Sequence, residues 1–192
     1  GSTDGTADWL PAFRTTAARR GIETTIIRNA VNVGCSTARN QGLASARGEY
    51  VVFIDNDIAL RQASWLQGLA RRLDADPGIG MAGPKLVYPV APHAIQCAGV
   101  GVSRSGRIQF RGRGEAIDDP RFNTEQPVQC LISACCMARR SALARADGFD
   151  EAFNPVEYED LDLCYRLRDA GYSLLYVPDV EMYHFESVTT AG

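Results

Sequence analysis

The stretch Gly48-Glu49-Tyr50-Val51-Val52-Phe53-Ile54-Asp55-Asn56-Asp57 decides the fold. Tyr50–Ile54 is apolar throughout and rich in β-branched and aromatic residues, which predicts a strand buried on both faces. The run stops at two carboxylates, Asp55 and Asp57, spaced i, i+2 around Asn56. Packing gives no reason for a buried strand to end this way, because a desolvated charge is costly without a partner. Ligands of open α/β sheets collect at the carboxyl ends of strands. Two hard oxygen donors there suit Mg2+ or Mn2+ carrying a diphosphate. An isolated D-x-D is nevertheless short and common, and it is more often a pair of loop acids that solvate the strand end or cap the next helix. Function gains ground only if other parts of the chain supply the rest of a site.

Moving outward, the chain opens with the polar, turn-rich Gly1–Thr6, and a helix pattern follows at once. Trp9, Leu10, Phe13 and Ala17 share one face of it, with Asp8 as the expected N-cap, which keeps Pro11 in the first turn. A strand is predicted over Glu23–Arg28, a loop over Asn29–Gly34, and a helix over Ser36–Ala46 carrying Arg39 and Asn40 near its start. Beyond the central strand, a helix over Ala63–Leu73 presents Leu66, Leu69, Ala70 and Leu73. Strands and helices alternating at this length mean a parallel sheet with right-handed crossovers. The first element is a helix with no strand before it, so the chain reads as cut at its front.

After Gly80 the rhythm changes. Met81–Tyr88 reads as a strand that turns at Pro84, Ile95–Val102 and Arg107–Phe110 as a hairpin, and Val128–Ala138 as a second central strand. The Arg/Gly alternation Arg111-Gly112-Arg113-Gly114 opens a polar loop expected to be mobile and close to the site, although such runs are more often solvated turns than phosphate clamps. A short helix follows at Ser141–Ala146, a longer one over 158–171, and strands over Ser173–Val177 and Val180–Ser187.

The longer helix opens in acid. Glu157, Glu159, Asp160 and Asp162 crowd one turn. One or two acids would complement the helix dipole, but four repel each other, so the surplus calls for a cation, a donor or a base role. A carboxylate in a cleft can take a proton from an attacking hydroxyl, and on the residues alone Glu159, Asp160 and Asp162 all remain candidates. His184 closes the last strand; a lone histidine there is more often a surface or core residue than a metal ligand. His93 sits among prolines and has no assigned role.

The 192 residues fit one domain, with 45% hydrophobic and 22% charged residues, as in ordinary soluble globular proteins. A net charge of −3 with scattered basic residues argues against nucleic acid. No apolar run approaches the ~20 residues of a transmembrane helix and no signal peptide is evident. The six cysteines form no C-x-x-C pair and mostly lie in apolar runs, so buried reduced thiols and a cytoplasmic setting are expected.

Taken in order, Ser2-Thr3-Asp4-Gly5-Thr6, Asn32-Val33-Gly34, Ala38-Arg39-Asn40-Gln41-Gly42, Gly48–Asp57, Gly148-Phe149-Asp150-Glu151, Glu159-Asp160-Leu161-Asp162-Leu163 and Ala170-Gly171-Tyr172 resemble a family 2 glycosyltransferase with the GT-A fold, in its rhamnosyltransferase-like branch. The resemblance implies a Rossmann-like α/β fold with a mixed, mainly parallel sheet flanked by helices. It implies one domain over 1–192, with a nucleotide- and metal-binding half at 1–88 and an acceptor and catalytic-base half at 89–192. The activity it implies is metal-dependent, inverting transfer of a sugar from a nucleoside-diphosphate sugar to a glycan or lipid-linked acceptor. Asp55 and Asp57 then match the acids that hold Mn2+ or Mg2+ on the donor diphosphate, with Asp55 also touching the ribose. His184 completes the metal shell, Asp160 is the base, Glu159 supports it, and Asp4 and Arg39 line the nucleotide. The first two strands of such a domain are missing here, and the chain stops at Thr189–Gly192, where relatives continue. A fragment of a longer enzyme is therefore expected, peripheral to the inner membrane face, with an exposed sheet edge that could pair two copies. The competing readings are a non-catalytic sugar-nucleotide-binding scaffold and a nucleotidyltransferase, which would release pyrophosphate rather than a nucleoside diphosphate.

Overall fold

The computed structural model describes residues 2–186; Gly1, the predicted strand residue Ser187 and the closing Thr189–Gly192 lie outside the described residues. In chain order it contains helices and strands α1 (Thr6–Arg19), α2 (Cys35–Ser45), β1 (Tyr50–Ile54), β2 (Ile58–Leu60), α3 (Trp65–Ala75), β3 (Ile79–Val87), β4 (Ile95–Cys97), β5 (Val100–Val102), β6 (Ile108–Phe110), β7 (Gln126–Pro127), β8 (Cys135–Arg139), α4 (Arg140–Arg145), α5 (Glu159–Asp169) and β9 (Ser173–His184). The chain divides into two compact units, Gly1–Arg47 with Phe149–Glu159, and Gly48–Gly148 with Asp160–Gly192. The division expected at residue 88 falls inside the second of these.

The second unit is built on a sheet whose main path is β1-β8-β3-β9-β2, with β4 beside β3 and β7 beside β9. The α/β class and the mixed sheet are as expected, but the sheet is not mainly parallel: among the described residues only the β3–β9 pairing is parallel. The reason is an inserted strand. β1 and β3 both run antiparallel to β8, so they point the same way, as a crossover through α3 requires. β8 lies between them, and connectivity read from sequence cannot anticipate a later strand entering the gap.

This order also corrects the burial of β1. Among the described residues it is an edge strand, and burial alternates along it: Val51 and Phe53 are buried, while Ile54 is 46% exposed. All nine residues of β3 are buried, although they include two glycines, a proline and a lysine. Its glycines let neighbours approach: a Cβ at Gly83 would lie 2.7 Å from a Leu131 methyl, and one at Gly80 2.7 Å from Tyr172 Cβ. Pro84 is tolerated because the ladder to β9 shifts register there, from Pro84 opposite Val177 to Lys85 opposite Glu181. The extra residues include Pro178, so the two strands expected around it are one continuous strand.

α3 buries Trp65, Leu69 and Leu73, an i, i+4, i+8 seam, and leaves Leu66 exposed. Gly68 lets α3 sit close to β9, since a Cβ there would fall 2.5 Å from a Val180 methyl. The Arg/Gly segment is tied down rather than open. Its backbone bonds to 95–99 through Ala98 N–H to Arg111 O, Arg111 N–H to Gly99 O, and Gly114 N–H to Ile95 O. Lys85, 2% exposed, donates to Ile117 O and to Asn123 Oδ1. A buried ammonium needs such partners, and here they fasten residues 117–123 to the sheet.

In the first unit α1 starts from Gly5 rather than Asp8, which puts Pro11 inside the helix. Only Ala17 of its expected apolar face is buried; Trp9 and Phe13 stack on each other, both exposed. Residues 22–29 join no ladder, against the strand expected over Glu23–Arg28. α2 has no side-chain cap of its own, and its first amides are served from far along the chain: Asn154 Oδ1 accepts from Ser36 N–H at 3.1 Å, and Pro155 O from Cys35 N–H at 2.9 Å. Gly34, at φ 86°, is required there, because a Cβ would lie 2.2 Å from Asn154 Oδ1.

Candidate active site

Asp55 and Asp57 stand where the sequence puts them, just past the carboxyl end of β1. Asp55 N–H donates to Ala134 O at 2.8 Å, which extends the β1–β8 ladder by one bond and fixes the strand end. Three residues on, β2 begins and pairs with the end of β9, with Ile58 opposite His184. Phe185 N–H donates to Asp57 O at 3.0 Å, so the two chains are locked where both candidate ligands sit. The consequence is a facing pair: Asp57 Oδ2 lies 3.5 Å from His184 Nε2. The ring's other nitrogen, Nδ1, is 2.6 Å from Oε1 of the buried Gln96 in β4. Asp55 does not join as a third ligand; among the described residues no three His, Cys, Asp or Glu side chains gather into a metal-binding group. A carboxylate oxygen facing an imidazole nitrogen is a donor set that Mn2+ accepts, and Mg2+ or Mn2+ commonly takes few protein ligands and draws the rest from phosphate and water. The residues present fit a divalent cation.

At the start of α5, Asp160 accepts from Ser133 N–H through Oδ2 at 3.4 Å and from Leu161 N–H through Oδ1 at 2.8 Å. Asp162 is engaged differently, since Arg166 one turn on donates to its Oδ2 from Nε at 2.8 Å.

In the first unit Arg39 and Glu159 form a buried ion pair, Nη1 to Oε1 at 2.7 Å. The Asn154 cap on α2 and the bonds from Asn40 to Phe149 hold residues 149–159 against the helix that carries Arg39. Glu159 Oε2 is buried without a hydrogen-bond partner. Beside this pair the Cys35 thiol is pushed up to about 11, first by burial and then by the Glu159 carboxylate. Asp4 is exposed, and its carboxylate accepts from Thr6 N–H and Oγ1, which lowers its pKa and serves the start of α1.

Sequence reasoning missed Gln96, Glu186 and Asn154. Gln96 could have been found as the one strongly polar residue in the apolar run Ile95–Val100. Glu186 and Asn154 carried no local signal. The arginines of the Arg/Gly segment are occupied by protein partners: Arg111 donates to Ala98 O, and Arg113 to Tyr88 Oη and Glu186.

The fold is of the GT-A type. A crystal structure of GalNAc-T7 with UDP, GalNAc and Mn2+ superposes with a TM-score of 0.74 over 96% of this chain and 36% of its own, at 15% identity. The model of glycosyl transferase family 2 matches residues 1–146, and the chain belongs to that family. It is 31% identical over 169 residues, 85% of its length, to the uncharacterized protein y4gI of Sinorhizobium fredii, of which it spans 18%. It is 28% identical over 216 aligned positions, 99% of its length, to the N-acetylglucosaminyl-diphospho-decaprenol L-rhamnosyltransferase of Mycobacterium tuberculosis, of which it spans 66%. The chain thus covers less than two thirds of either relative, and a fifth or less of the first. No helix among the described residues is long and apolar enough to cross a membrane.

Proposed function

We propose that this chain carries the donor site and base of an inverting, metal-dependent glycosyltransferase that moves a sugar from a nucleoside-diphosphate sugar to a hydroxyl of a glycan or lipid-linked acceptor. The observation that carries this reading is Asp57 facing His184 at 3.5 Å, at the end of β1, in a chain of glycosyl transferase family 2. Support for the donor and acceptor classes comes from the names of the relatives: one is an N-acetylglucosaminyl-diphospho-decaprenol L-rhamnosyltransferase, and the superposed structure is a complex with UDP, GalNAc and Mn2+.

In this reading Asp57 and His184 hold Mn2+ or Mg2+, and Asp55 turns to the ribose side. The cation supplies neutralisation of the negative charge that builds on the leaving diphosphate. Asp4 and Arg39 attend to the nucleotide. Asp160 takes the proton of the acceptor hydroxyl; that oxygen bonds to the anomeric carbon from the face opposite the diphosphate. The bond from carbon to diphosphate oxygen breaks with its electron pair, and the configuration inverts. Glu159 supports the base. Among the acids of that turn, Asp162 and Glu159 each bond to an arginine, and Asp160 accepts from two backbone N–H groups that keep its carboxylate oriented. The same proposal has residues 1–88 serving the nucleotide and supplying Asp57 to the metal, 89–192 serving acceptor and base and lending His184 to the metal, a cytoplasmic location against the membrane face, and pairing of two copies through the open edge of β1.

The test is calorimetric titration with UDP, dTDP and GDP, each with and without Mn2+, followed by product analysis with the matching sugar donor. Metal-dependent binding of one nucleotide and release of the nucleoside diphosphate are expected. A folded chain that binds none of the three sinks the proposal, and release of pyrophosphate replaces it with nucleotidyl transfer.

A further inference from the structure

We propose that Gln96 is a positioning residue that holds His184 in the Nδ1–H tautomer and so aims the lone pair of Nε2 at Asp57. The argument rests on which atoms can donate. The Gln96 side chain is 2% exposed, so its amide must find partners inside the protein. Its Nε2 lies 3.4 Å from His184 O and 3.4 Å from Glu186 Oε2. Both are acceptors only, so the amide nitrogen must face them, and the orientation of the amide is fixed by its partners. Oε1 is then left toward His184 Nδ1, at 2.6 Å. A carbonyl oxygen cannot donate, so Nδ1 must carry the hydrogen. In a neutral imidazole Nε2 is then the acceptor, and it is the nitrogen 3.5 Å from Asp57 Oδ2.

The hold on Gln96 is itself backed up. Glu186 is ion-paired to Arg113, whose Nε donates to Tyr88 Oη at 3.1 Å. Arg113 belongs to the Arg/Gly segment, so that segment contributes by bracing this amide rather than by clamping a phosphate. A metal-ligating histidine is commonly oriented by a hydrogen bond at its other nitrogen, and loss of such a partner costs about 10–100-fold in affinity. The role of Gln96 toward a cation rests on the proposed reading of Asp57 and His184 as ligands; the tautomer does not.

The experiment therefore has two readouts. On the metal-free chain at about pH 8, where an unperturbed imidazole is neutral, 15N–1H correlation of the ring nitrogens reports the tautomer. The chain has two histidines, and a His93→Asn variant assigns the signals. Wild type showing His184 as the Nδ1–H form is expected; Nε2–H as the main form overturns the proposal without recourse to any variant. Gln96→Leu is expected to release the ring to the Nε2–H form, and Gln96→Glu, which keeps an acceptor in place, to retain Nδ1–H. Mn2+ binding followed by electron paramagnetic resonance is the second readout, expected to weaken roughly 10–100-fold in Gln96→Leu and less in Gln96→Glu. If Asp57→Ala abolishes Mn2+ binding while a folded Gln96→Leu keeps wild-type affinity, the positioning role alone is overturned. If neither substitution changes Mn2+ binding, the ligand pair itself is wrong, and the role of Gln96 toward a cation falls with it.

Discussion

Asp57 and Glu159 are both carboxylates in the motifs that mark this chain, and their surroundings are opposite. Glu159 is 5% exposed and bonded through Oε1 to Arg39. Asp57 has a side chain 22% exposed, and its partner is an imidazole that carries a charge only when protonated. A buried carboxylate with an arginine is an answer to desolvation, since removing either partner leaves a stranded charge. A partly exposed carboxylate facing an imidazole nitrogen is instead a donor set that a cation would complete. Motif membership alone does not separate the two. Partner chemistry and burial do.

The sharpest way to break that comparison is to delete the acid on each side. Asp57→Ala is expected to lower sugar transfer by ~10²-fold or more, the scale on which removing charge stabilisation from a reacting site is felt. Metal-dependent nucleotide binding should go with it. Its thermal unfolding should move little, within about ±0.5 kcal/mol, as for a partly exposed side chain whose contact, to His184, is a long one at 3.5 Å. A large drop in stability would show that the Asp57–His184 contact is structural, and the comparison would collapse.

Arg39→Met is the converse. It leaves Glu159 buried without its ion-pair partner, and breaking such a pair costs about 3–5 kcal/mol, readable as a lowered Tm or denaturation midpoint. Glu159→Gln should cost less, because the amide oxygen can still accept from Arg39. Equal losses in the two variants would mean that geometry, rather than charge compensation, holds the pair.

What was readable in the sequence follows the same division between local and distant causes. β1, α2, α3 and α5 were legible because propensity, turn residues and apolar spacing act within one element. Asp55 and Asp57 were legible because carboxylates at a strand end conflict with burial. The strand over Glu23–Arg28 failed because a strand exists only with a partner, and none is paired to it among the described residues. The doubly buried strand was misassigned for a related reason: Lys85 and Pro84 argue locally against a central strand, yet Lys85 is satisfied by Ile117 and Asn123, and Pro84 by a register shift. Gln96 meets His184 across 88 positions of sequence, and no window reveals such a contact.

The smallest effect expected concerns Cys35, which reports on the Glu159 environment without touching the proposed chemistry. Its thiol is raised from an ordinary value near 9 to about 11, with burial the larger cause and Glu159 the second. The folded chain therefore keeps this thiol protonated in a range where the unfolded chain ionises it. Its contribution to stability is full below pH 9 and is lost as pH rises toward 11. Alkylation of Cys35 at pH 8 should be slow, since only the thiolate reacts. Glu159→Gln removes the carboxylate but leaves the burial, so the rate should rise by less than about tenfold, the change that one pKa unit would give. A much larger rise would mean that the carboxylate outweighs burial at this thiol, and Glu159 would then be less well compensated by Arg39 than the 2.7 Å bond between them implies. No rise at all would mean that Arg39 already cancels its charge, which would sharpen the contrast with Asp57.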